Sequence, residues 1–248
     1  MRTSNSIEAE KAVVLLSGGV DSSTCLGIAV ERFGAENVRA LGIHYGQKHE
    51  IEQKSAKCIA EYYDVQFDEI NISEVMKFSN CPLMANSTES IPEKSYAEQM
   101  EENGSGRVTT YVPYRNGTML SVAAAYADSV FPDTYVAIFY GAHADDAAGE
   151  AYADCSQDFI DAQNAAIMIG TYGEIHLEGP LAAMNKTQVV ATGLSLKKPV
   201  PYFLTHSCYN GVAGGCGVCG TCIDRINAFR NNGLDDTGRP RHVVDCKG

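Results

Sequence analysis

Short apolar runs alternate along the chain with segments of helical periodicity. Residues 12–16 form an apolar run typical of a buried strand, and apolar positions 25, 26, 28, 29 and 33 follow at helical spacing. Gly34 then ends the predicted helix, since glycine is common just past helix C-termini. A Ser-Gly-Gly turn lies between the two elements. The start of the chain therefore predicts a strand, a tight turn and a helix.

The same alternation continues to about residue 177 without an internal repeat. The pattern predicts further strands at 38–45, 65–72, 134–140 and 174–177, and further helices at 47–63, 116–127 and 158–169. Strands that alternate with helices form parallel sheets covered by those helices. We therefore expect an α/β fold with a doubly wound, mostly parallel sheet.

Two segments depart from this alternation. Residues 79–107 are polar, carry Pro and Gly, and lack periodicity, and ordered loops of this length are usually functional, so they are a candidate lid. From residue 202 the chain becomes cysteine-rich, with a short helix predicted at 223–231 and a polar tail. We expect a large ATP-binding α/β domain over residues 1–201 and a small metal-binding appendage over 202–248.

Composition and charge limit the classes of partner. Hydrophobic residues make up 45% of the 248 residues and charged residues 20%, as in ordinary globular proteins. The net charge of −12 opposes binding to a polyanion, so we expect no nucleic-acid partner, although a single loop can still attract phosphate. No signal peptide or membrane-spanning run is evident, so we expect a cytoplasmic protein with no membrane partner.

The turn after the first strand carries the clearest candidate chemistry. Its residues are Ser17, Gly18, Gly19, Val20, Asp21, Ser22 and Ser23. A glycine-rich turn that opens a helix presents unpaired N–H groups and the positive end of the helix dipole to an anion. Asp21 offers a carboxylate for Mg²⁺ or for capping the helix, and the alternative to a nucleotide site is an ordinary capped β–α turn. The string resembles the signature of the PP-loop ATP pyrophosphatases, which adenylate a substrate oxygen and release pyrophosphate.

A second cluster of candidate residues consists of four cysteines. Cys208, Cys216, Cys219 and Cys222 have the spacing C-x7-C-x2-C-x2-C, and four thiolates suit a closed, structural zinc site. An iron–sulfur cluster and a disulfide switch are the alternatives. His206 is near enough to be a spare ligand. The remaining cysteines are expected to be small buried apolar residues or inert thiols: Cys25, Cys58, Cys81, Cys155 and Cys246.

Several further stretches, in order behind the loop, resemble one family. They are LLSGGVDSST at 15–24, HYGQKHE at 44–50, YVPYRNGTMLS at 111–121, YGAHADDAAGEAYADC at 140–155, NKTQVV at 185–190, SCYNG at 207–211 and CGVCGTCIDRINAF at 216–229. Together they are similar to the 7-cyano-7-deazaguanine synthase family over residues 13–235. The chain differs from the usual family pattern at His206, where Trp is common, at Ala153, where Pro is common, and at Asp236, where an Asp-Pro pair is common.

This resemblance implies an adenine nucleotide alpha-hydrolase-like, Rossmann-like fold and a queuosine-pathway reaction. In that reaction 7-carboxy-7-deazaguanine is adenylated by ATP with Mg²⁺, ammonia converts the acyl-adenylate to an amide, and a second activation dehydrates the amide to the nitrile. It also implies Zn²⁺ at the four cysteines and a homodimer. Adenylation is expected because a carboxylate oxygen is a poor leaving group that becomes a good one once it is adenylated. The loop at 17–23 and Mg²⁺ would stabilise the negative charge that develops on the departing pyrophosphate.

The site residues follow partly from this resemblance and partly from position. Asp21 and Lys186 resemble catalytic residues that meet the phosphates. Lys186 stands at a predicted helix start after Asn185, and without the resemblance it would be taken for an ordinary exposed lysine. Arg115 and Asn116 open a predicted helix, where they read phosphate or base edges or merely cap the helix. Asp145 and Asp146 follow a strand end, where open α/β sheets bind ligands, although solvated carboxylates are the alternative. The remaining candidates for the substrate pocket are Asp154, for the guanine-like edge, and Tyr45, Gln47 and His143.

Two other functions remain open at this point. One is a different PP-loop ligase or amidotransferase, acting on another carboxylate or on tRNA, although the acidic charge opposes tRNA. The other is a zinc-bearing protein that binds a deazaguanine or a nucleotide and conjugates or senses it without making a nitrile. A pure binding module consumes no ATP, so substrate-dependent pyrophosphate release separates these alternatives.

Overall fold

The computed structural model describes residues 8–103, 108–147 and 152–240. Within these residues five parallel strands form one sheet in the order β3-β2-β1-β4-β5. The end of the predicted lid at 104–107 and Cys246 lie outside the described residues. The strands are β1 (Lys11–Leu15), β2 (Val38–His44), β3 (Gln66–Asn71), β4 (Val136–Phe139) and β5 (Ile175–Glu178). The predicted doubly wound, parallel sheet is confirmed.

Helices connect the strands and cover both faces of the sheet. They are α1 (Val20–Phe33), α2 (Ile51–Tyr63), α3 (Ser73–Met76), α4 (Tyr96–Asn103), α5 (Arg115–Val130), α6 (Ala144–Ala147), α7 (Gln157–Gly170), α8 (Lys186–Ser195) and α9 (Gly220–Asn231). In the described chain no helix is both long enough and apolar enough to span a bilayer.

Three helices have no counterpart in the predicted pattern, and one begins later than predicted. The short α3 and α6 and the eight-residue α4 carry too few turns for a helical period to emerge, and α4 lies inside the predicted lid. The helix predicted from residue 47 begins at Ile51, because Gln47 instead pairs with Met84 in an isolated antiparallel bridge.

Each face of the sheet buries its own hydrophobic core. Successive residues of a strand point to opposite faces, so Val14 packs in one core and Val13 in the other. The core around Val14 also contains Leu26 of α1 and Phe229 of α9, both fully buried. The C-terminal helix therefore packs in the same core as the first strand and the first helix.

The order of the strands creates a crevice beside β1. The chain moves outward from β1 to β2 and β3 and then returns to place β4 on the other side of β1. In open α/β sheets ligands bind outside the carboxyl ends of the strands at such a reversal. Gly141, just after β4, comes so close to the turn after β1 that a Cβ there would lie 3.1 Å from the Ser22 nitrogen.

Candidate functional site

The glycine-rich turn takes its shape from close packing against α2. Gly18 has φ of +84°, which disfavours any residue with a side chain, and a Cβ there would overlap the Glu52 carbonyl oxygen and the Ala56 nitrogen. The backbone of α2 thus contacts the turn directly. Gly18 is therefore needed for the contact between the turn and α2.

Two serine hydroxyls of the turn face the crevice, while a third points back into α1. The Ser17 and Ser22 Oγ atoms lie 3.0 Å apart, and the Gly19 N–H donates to Ser17 Oγ at 3.3 Å. Ser23 is fully buried and donates to the Gly19 carbonyl oxygen at 2.6 Å. Ser17 and Ser22 are therefore placed to contact a ligand, and Ser23 is placed to stabilise the turn.

A short ion pair joins the turn to α8. The Lys186 Nζ donates to Asp21 Oδ2 at 2.6 Å, and Asn185 and Gln188 form a capping box that begins α8 beside it. Burial raises the pKa of the Asp21 carboxyl, but Lys186 and His143 more than offset this, so the pKa lies below its usual value. The other oxygen, Asp21 Oδ1, is buried and has no hydrogen-bond partner among the described residues. We call Ser17, Asp21, Ser22 and Lys186 the phosphate-loop group.

A cavity of about 240 Å³ opens at this crevice, and it collects most of the predicted site residues. The predicted residues that line it are Ser17, Gly19, Asp21, Ser22, Tyr45, Gln47, Arg115, Asn116 and Lys186. The predicted residues outside its described lining are Gly18, Val20, Ser23, His143, Asp145 and Asp154. The side chain of Asp146 lies outside the described part of the chain.

His143 and Asp145 lie outside the cavity lining and contact the ion pair between Asp21 and Lys186. His143 is buried, with its ring nitrogens 3.8 Å from Asp21 Oδ1 and 3.9 Å from Asp145 Oδ2. The Asp145 carboxylate accepts a hydrogen bond from the Lys186 N–H at 2.7 Å, at the N-terminus of α8. An acidic residue is favourable there, because the helix dipole is positive at that end.

Arg115 forms the centre of a second group of lining residues. It begins α5 directly after Tyr114, whose φ of +51° makes the tight entry that turns the chain into the helix. Its guanidinium lies 5.3 Å from the centre of the Tyr45 ring. Burial lowers the pKa of Arg115, but the Tyr45 and Tyr209 phenols more than reverse this, so the group stays charged. We call Tyr45, Arg115, Tyr140 and Tyr209 the arginine–tyrosine group.

Asn116 and Asp154 fix the start of α5 rather than facing the cavity together. The Asn116 N–H donates to Asp154 Oδ2 at 3.2 Å, and the Tyr140 hydroxyl donates to the Asp154 carbonyl oxygen at 2.9 Å. Burial raises the pKa of Asp154, although Arg115 partly offsets this. Cys155, expected to be an inert thiol, lines the cavity and accepts from Asn116 Nδ2 at 3.6 Å.

Several lining residues were not among the predicted ones. Tyr140 and Cys155 stand in the stretch 140–155 that carried the family resemblance, so a signal was present. Tyr96 stands in the aperiodic segment 79–107, which gave no residue-level signal, yet its hydroxyl lies 3.0 Å from that of Tyr209. Glu52, Ser207, Tyr209 and Asp224 also line the cavity and were not predicted.

The four predicted cysteine ligands meet at one point. Their Sγ atoms all lie within 4.8 Å of one another, and the Cys216 and Cys222 sulfurs are 3.9 Å apart. A tetrahedron with zinc–sulfur bonds of ~2.3 Å has edges of ~3.8 Å, so this spacing fits a bound ion. The Cys216 and Cys219 N–H groups donate to cluster sulfurs at 3.3 and 3.4 Å. The cluster can therefore hold a metal, and His206 stands outside it.

The segment of chain that leads into this cluster contacts the glycine-rich turn. The His206 N–H donates to the Gly18 carbonyl oxygen at 2.9 Å. The next residue, Ser207, lines the cavity, with its Oγ 3.9 Å from where a Cβ on Gly19 would lie. The segment that leads into the cysteine cluster thus lies directly beside the end of the cavity that the glycine-rich turn lines.

Comparisons with known proteins match this geometry to a family. The family model described as "Queuosine biosynthesis protein QueC" matches residues 11–233. The chain is similar to the 7-cyano-7-deazaguanine synthase of Oceanobacillus iheyensis, with 36% identity over 92% of this chain and 96% of the relative. It is similar to those of Thermoplasma acidophilum (37% identity; 93% and 92% covered) and Caldicellulosiruptor saccharolyticus (38% identity; 91% and 93% covered).

Proposed function

Because this chain belongs to the family described as queuosine biosynthesis protein QueC, we propose that it uses ATP to convert 7-carboxy-7-deazaguanine and ammonia into 7-cyano-7-deazaguanine. The observation that carries this proposal is the family match over residues 11–233, which includes both the phosphate-loop group and the arginine–tyrosine group. An ATP-using synthase needs one surface for a pyrophosphate and another for a planar acid. The two groups supply these surfaces in one cavity.

The phosphate-loop group has the chemistry to hold ATP at its phosphates. Lys186 and Asp21 pair with each other at 2.6 Å, so neither charge is buried alone. We propose that on binding of ATP Lys186 turns to the phosphates, and that Asp21, whose Oδ1 accepts no hydrogen bond from the residues the structure describes, contributes an oxygen ligand to Mg²⁺. Mg²⁺ would neutralise charge on the departing pyrophosphate.

The arginine–tyrosine group has the chemistry to hold the deazapurine. A charged guanidinium attracts a carboxylate, and flat phenol rings pack against a flat heterocycle. Tyr45, Arg115 and Tyr209 therefore form the proposed anchor. Asp154, which supports α5 through Asn116, and Gln47, which accepts from the Tyr45 N–H at 2.9 Å, hold this anchor in place.

The cysteine cluster is proposed to bind one Zn²⁺ as a structural ion. Four thiolates without an additional carboxylate or His in the cluster are typical of a closed site that leaves no position for a substrate. Ammonia as the nitrogen donor, a cytoplasmic location and a homodimer belong to the same proposal, through the family. The division into a domain over 1–201, a lid over 79–107 and an appendage over 202–248 stays a prediction.

Product analysis tests the proposed function directly. Purified protein is incubated with ATP, Mg²⁺, ammonium and 7-carboxy-7-deazaguanine, and mass spectrometry follows the acid, the amide and the nitrile. We expect the nitrile together with AMP and pyrophosphate. ADP with orthophosphate as the primary products would contradict the α-phosphate chemistry. A reaction that stops at the amide would identify an amide synthetase and direct attention to Ala153 and His206, the positions that differ from the family.

A further inference from the structure

Glu52 lies in the first turn of α2, between the two groups that line the cavity. Its backbone packs against Gly18, so the glycine-rich turn fixes where this residue stands. Its side chain lines the cavity and lies near Arg115, which influences its ionisation. The residue therefore faces the space where a phosphate bound by one group and a carboxyl carbon bound by the other would meet.

The Glu52 carboxyl lacks the partners that hold the other acidic group beside the turn. Asp21 is paired with Lys186 at 2.6 Å, whereas Glu52 forms no hydrogen bond or ion pair with any residue the structure describes. Burial raises the pKa of Glu52 to about 7, although Arg115 opposes the shift. The other titratable neighbour is Tyr45, whose own pKa is raised to about 12, so it is neutral at physiological pH. A carboxylate with a raised pKa is a stronger base, and therefore a better proton acceptor, than a carboxylate in water.

The proposed function, on which this inference rests, requires a proton acceptor both when the amide forms and when the nitrile forms. When the nitrogen of ammonia attacks the acyl-adenylate carbon, the C–O bond to AMP breaks and the new C–N bond leaves a positively charged nitrogen that must lose a proton. Adenylation of the amide oxygen releases pyrophosphate, and one of the two nitrogen protons passes to water, which leaves a neutral adenylated imidate. When this imidate becomes the nitrile, its nitrogen loses the remaining proton, the electron pair of that N–H bond forms the third C–N bond, and AMP leaves with the C–O pair. Neither step needs an oxidant or a reductant.

We propose that Glu52 is the catalytic base of both steps, accepting first the proton of the attacking ammonia nitrogen and then the remaining proton of the adenylated imidate nitrogen. Between the steps the carboxylic acid returns its proton to water through the open side of the cavity. Adenylation of the acid transfers no proton from nitrogen. The two halves of the reaction therefore depend on Glu52 to different degrees.

Glu52→Gln separates these halves, because it keeps the size of the side chain and removes only its basicity. Nitrile formation is measured from the amide and ATP without ammonium, so that the ionisation of ammonia does not enter. We expect nitrile formation to fall by roughly 10²–10⁴-fold. Acid-dependent exchange of pyrophosphate into ATP should stay within about threefold of the unmodified chain, which also establishes that the variant is folded and binds both substrates.

The pH profile gives a second, independent readout. In the unmodified chain, nitrile formation from the amide should rise with pH through about 7, as Glu52 loses its proton, and this rise should be absent in Glu52→Gln. Glu50→Gln, two residues earlier and exposed, is the matched control and should retain both rate and profile. Asp224→Asn tests a further carboxyl, which lines the cavity from α9.

Three results would overturn the assignment to Glu52. The first is that Glu52→Gln makes nitrile within threefold of the normal rate. The second is that its pyrophosphate exchange falls as far as its nitrile formation. The third is that the pH-dependent rise in nitrile formation is lost in Asp224→Asn and kept in Glu52→Gln. If the unmodified chain neither exchanges pyrophosphate with the acid nor makes nitrile from the amide, the proposed function itself fails, and the assignment fails with it.

Discussion

The phosphate-loop group and the arginine–tyrosine group line the same cavity but are built in different ways. The first consists mainly of one contiguous stretch, residues 17–23, shaped by a glycine turn and completed by Lys186. The second collects Tyr45, Arg115, Tyr140 and Tyr209 from four distant segments. The first group therefore depends on local backbone geometry, and the second depends on the packing of the whole fold.

The two groups also treat charge differently. Lys186 pairs with a carboxylate, so removal of either residue leaves a partly buried charge without its partner. Arg115 lies among phenols and favours the ionisation of the nearby Glu52 and Asp154 carboxyls, so its removal takes away a cation that acts on several groups rather than on one. The cysteine cluster lies next to both, since Ser207 approaches Gly19 and Tyr209 belongs to the second group. Substitutions can therefore disturb one group, the other, or both.

The largest effect is expected where both groups are disturbed together. Cys219→Ser removes a buried thiolate, so the metal content should fall from about one zinc per chain, and the free energy of unfolding should fall by about 4 kcal/mol or more. The affinities for ATP and for the deazapurine should weaken together. Elemental analysis, soluble yield and calorimetric binding measure these effects, with the exposed Cys58→Ser as control. Iron with sulfide, or folded unmodified protein without metal, would contradict the prediction.

Sequence alone predicts the first group better than the second for a physical reason. The turn at residues 17–23 is recognisable from one contiguous run of glycines and serines, although its contact with α2 is not visible in the sequence, and alternating strands and helices already imply a parallel sheet. The hydrophobic pattern does not imply the strand order β3-β2-β1-β4-β5, because that order depends on the side of the sheet to which each connection between strands leads. Glu52 stood inside a predicted amphipathic helix, where a charge suggests solvent exposure. Tyr96 stood in a segment without periodicity, so nothing indicated that it faces Tyr209.

The next largest effect concerns the phosphate-loop group alone. Lys186→Met removes the cation proposed to meet the phosphates and leaves Asp21 unpaired, so kcat should fall by about 10²–10³-fold. The KM for the deazapurine should change little. Steady-state pyrophosphate release measures both constants. Lys197→Met, an exposed lysine just beyond the end of α8, is the matched control. A loss of less than threefold would remove Lys186 from the proposed machinery.

A smaller and complementary effect is expected from the arginine–tyrosine group. Arg115→Met removes a charge-assisted contact to the acid, which is worth about 1.5–3 kcal/mol, so the affinity for 7-carboxy-7-deazaguanine should fall by about 10–100-fold. The affinity for ATP should stay within about threefold. Calorimetric titration of each ligand measures the two changes, with Arg230→Met, an exposed arginine paired with Asp236, as control. If Arg115→Met lowered the affinities for ATP and for 7-carboxy-7-deazaguanine equally, the idea that each group binds a different substrate would be wrong.

The smallest of these effects is one on the free energy of unfolding, and it concerns Glu52, which lies between the two groups. Its charged form lowers the stability of the folded state. Its pKa is raised from 4.5 to about 7, so the stability that its neutral form provides is present below pH 4.5 and is lost as pH rises through 7. The full shift corresponds to ~3 kcal/mol, and solvent screening of this partly exposed group reduces it to about 1–2 kcal/mol. Glu52→Gln does not ionise, so its stability relative to the unmodified chain should increase by that amount between pH 5 and pH 8. Urea unfolding at both values measures the difference. Glu50→Gln, the control, should show no such change. If the stabilities of Glu52→Gln and of the unmodified chain changed equally between pH 5 and pH 8, burial would not disfavour the charged form of Glu52.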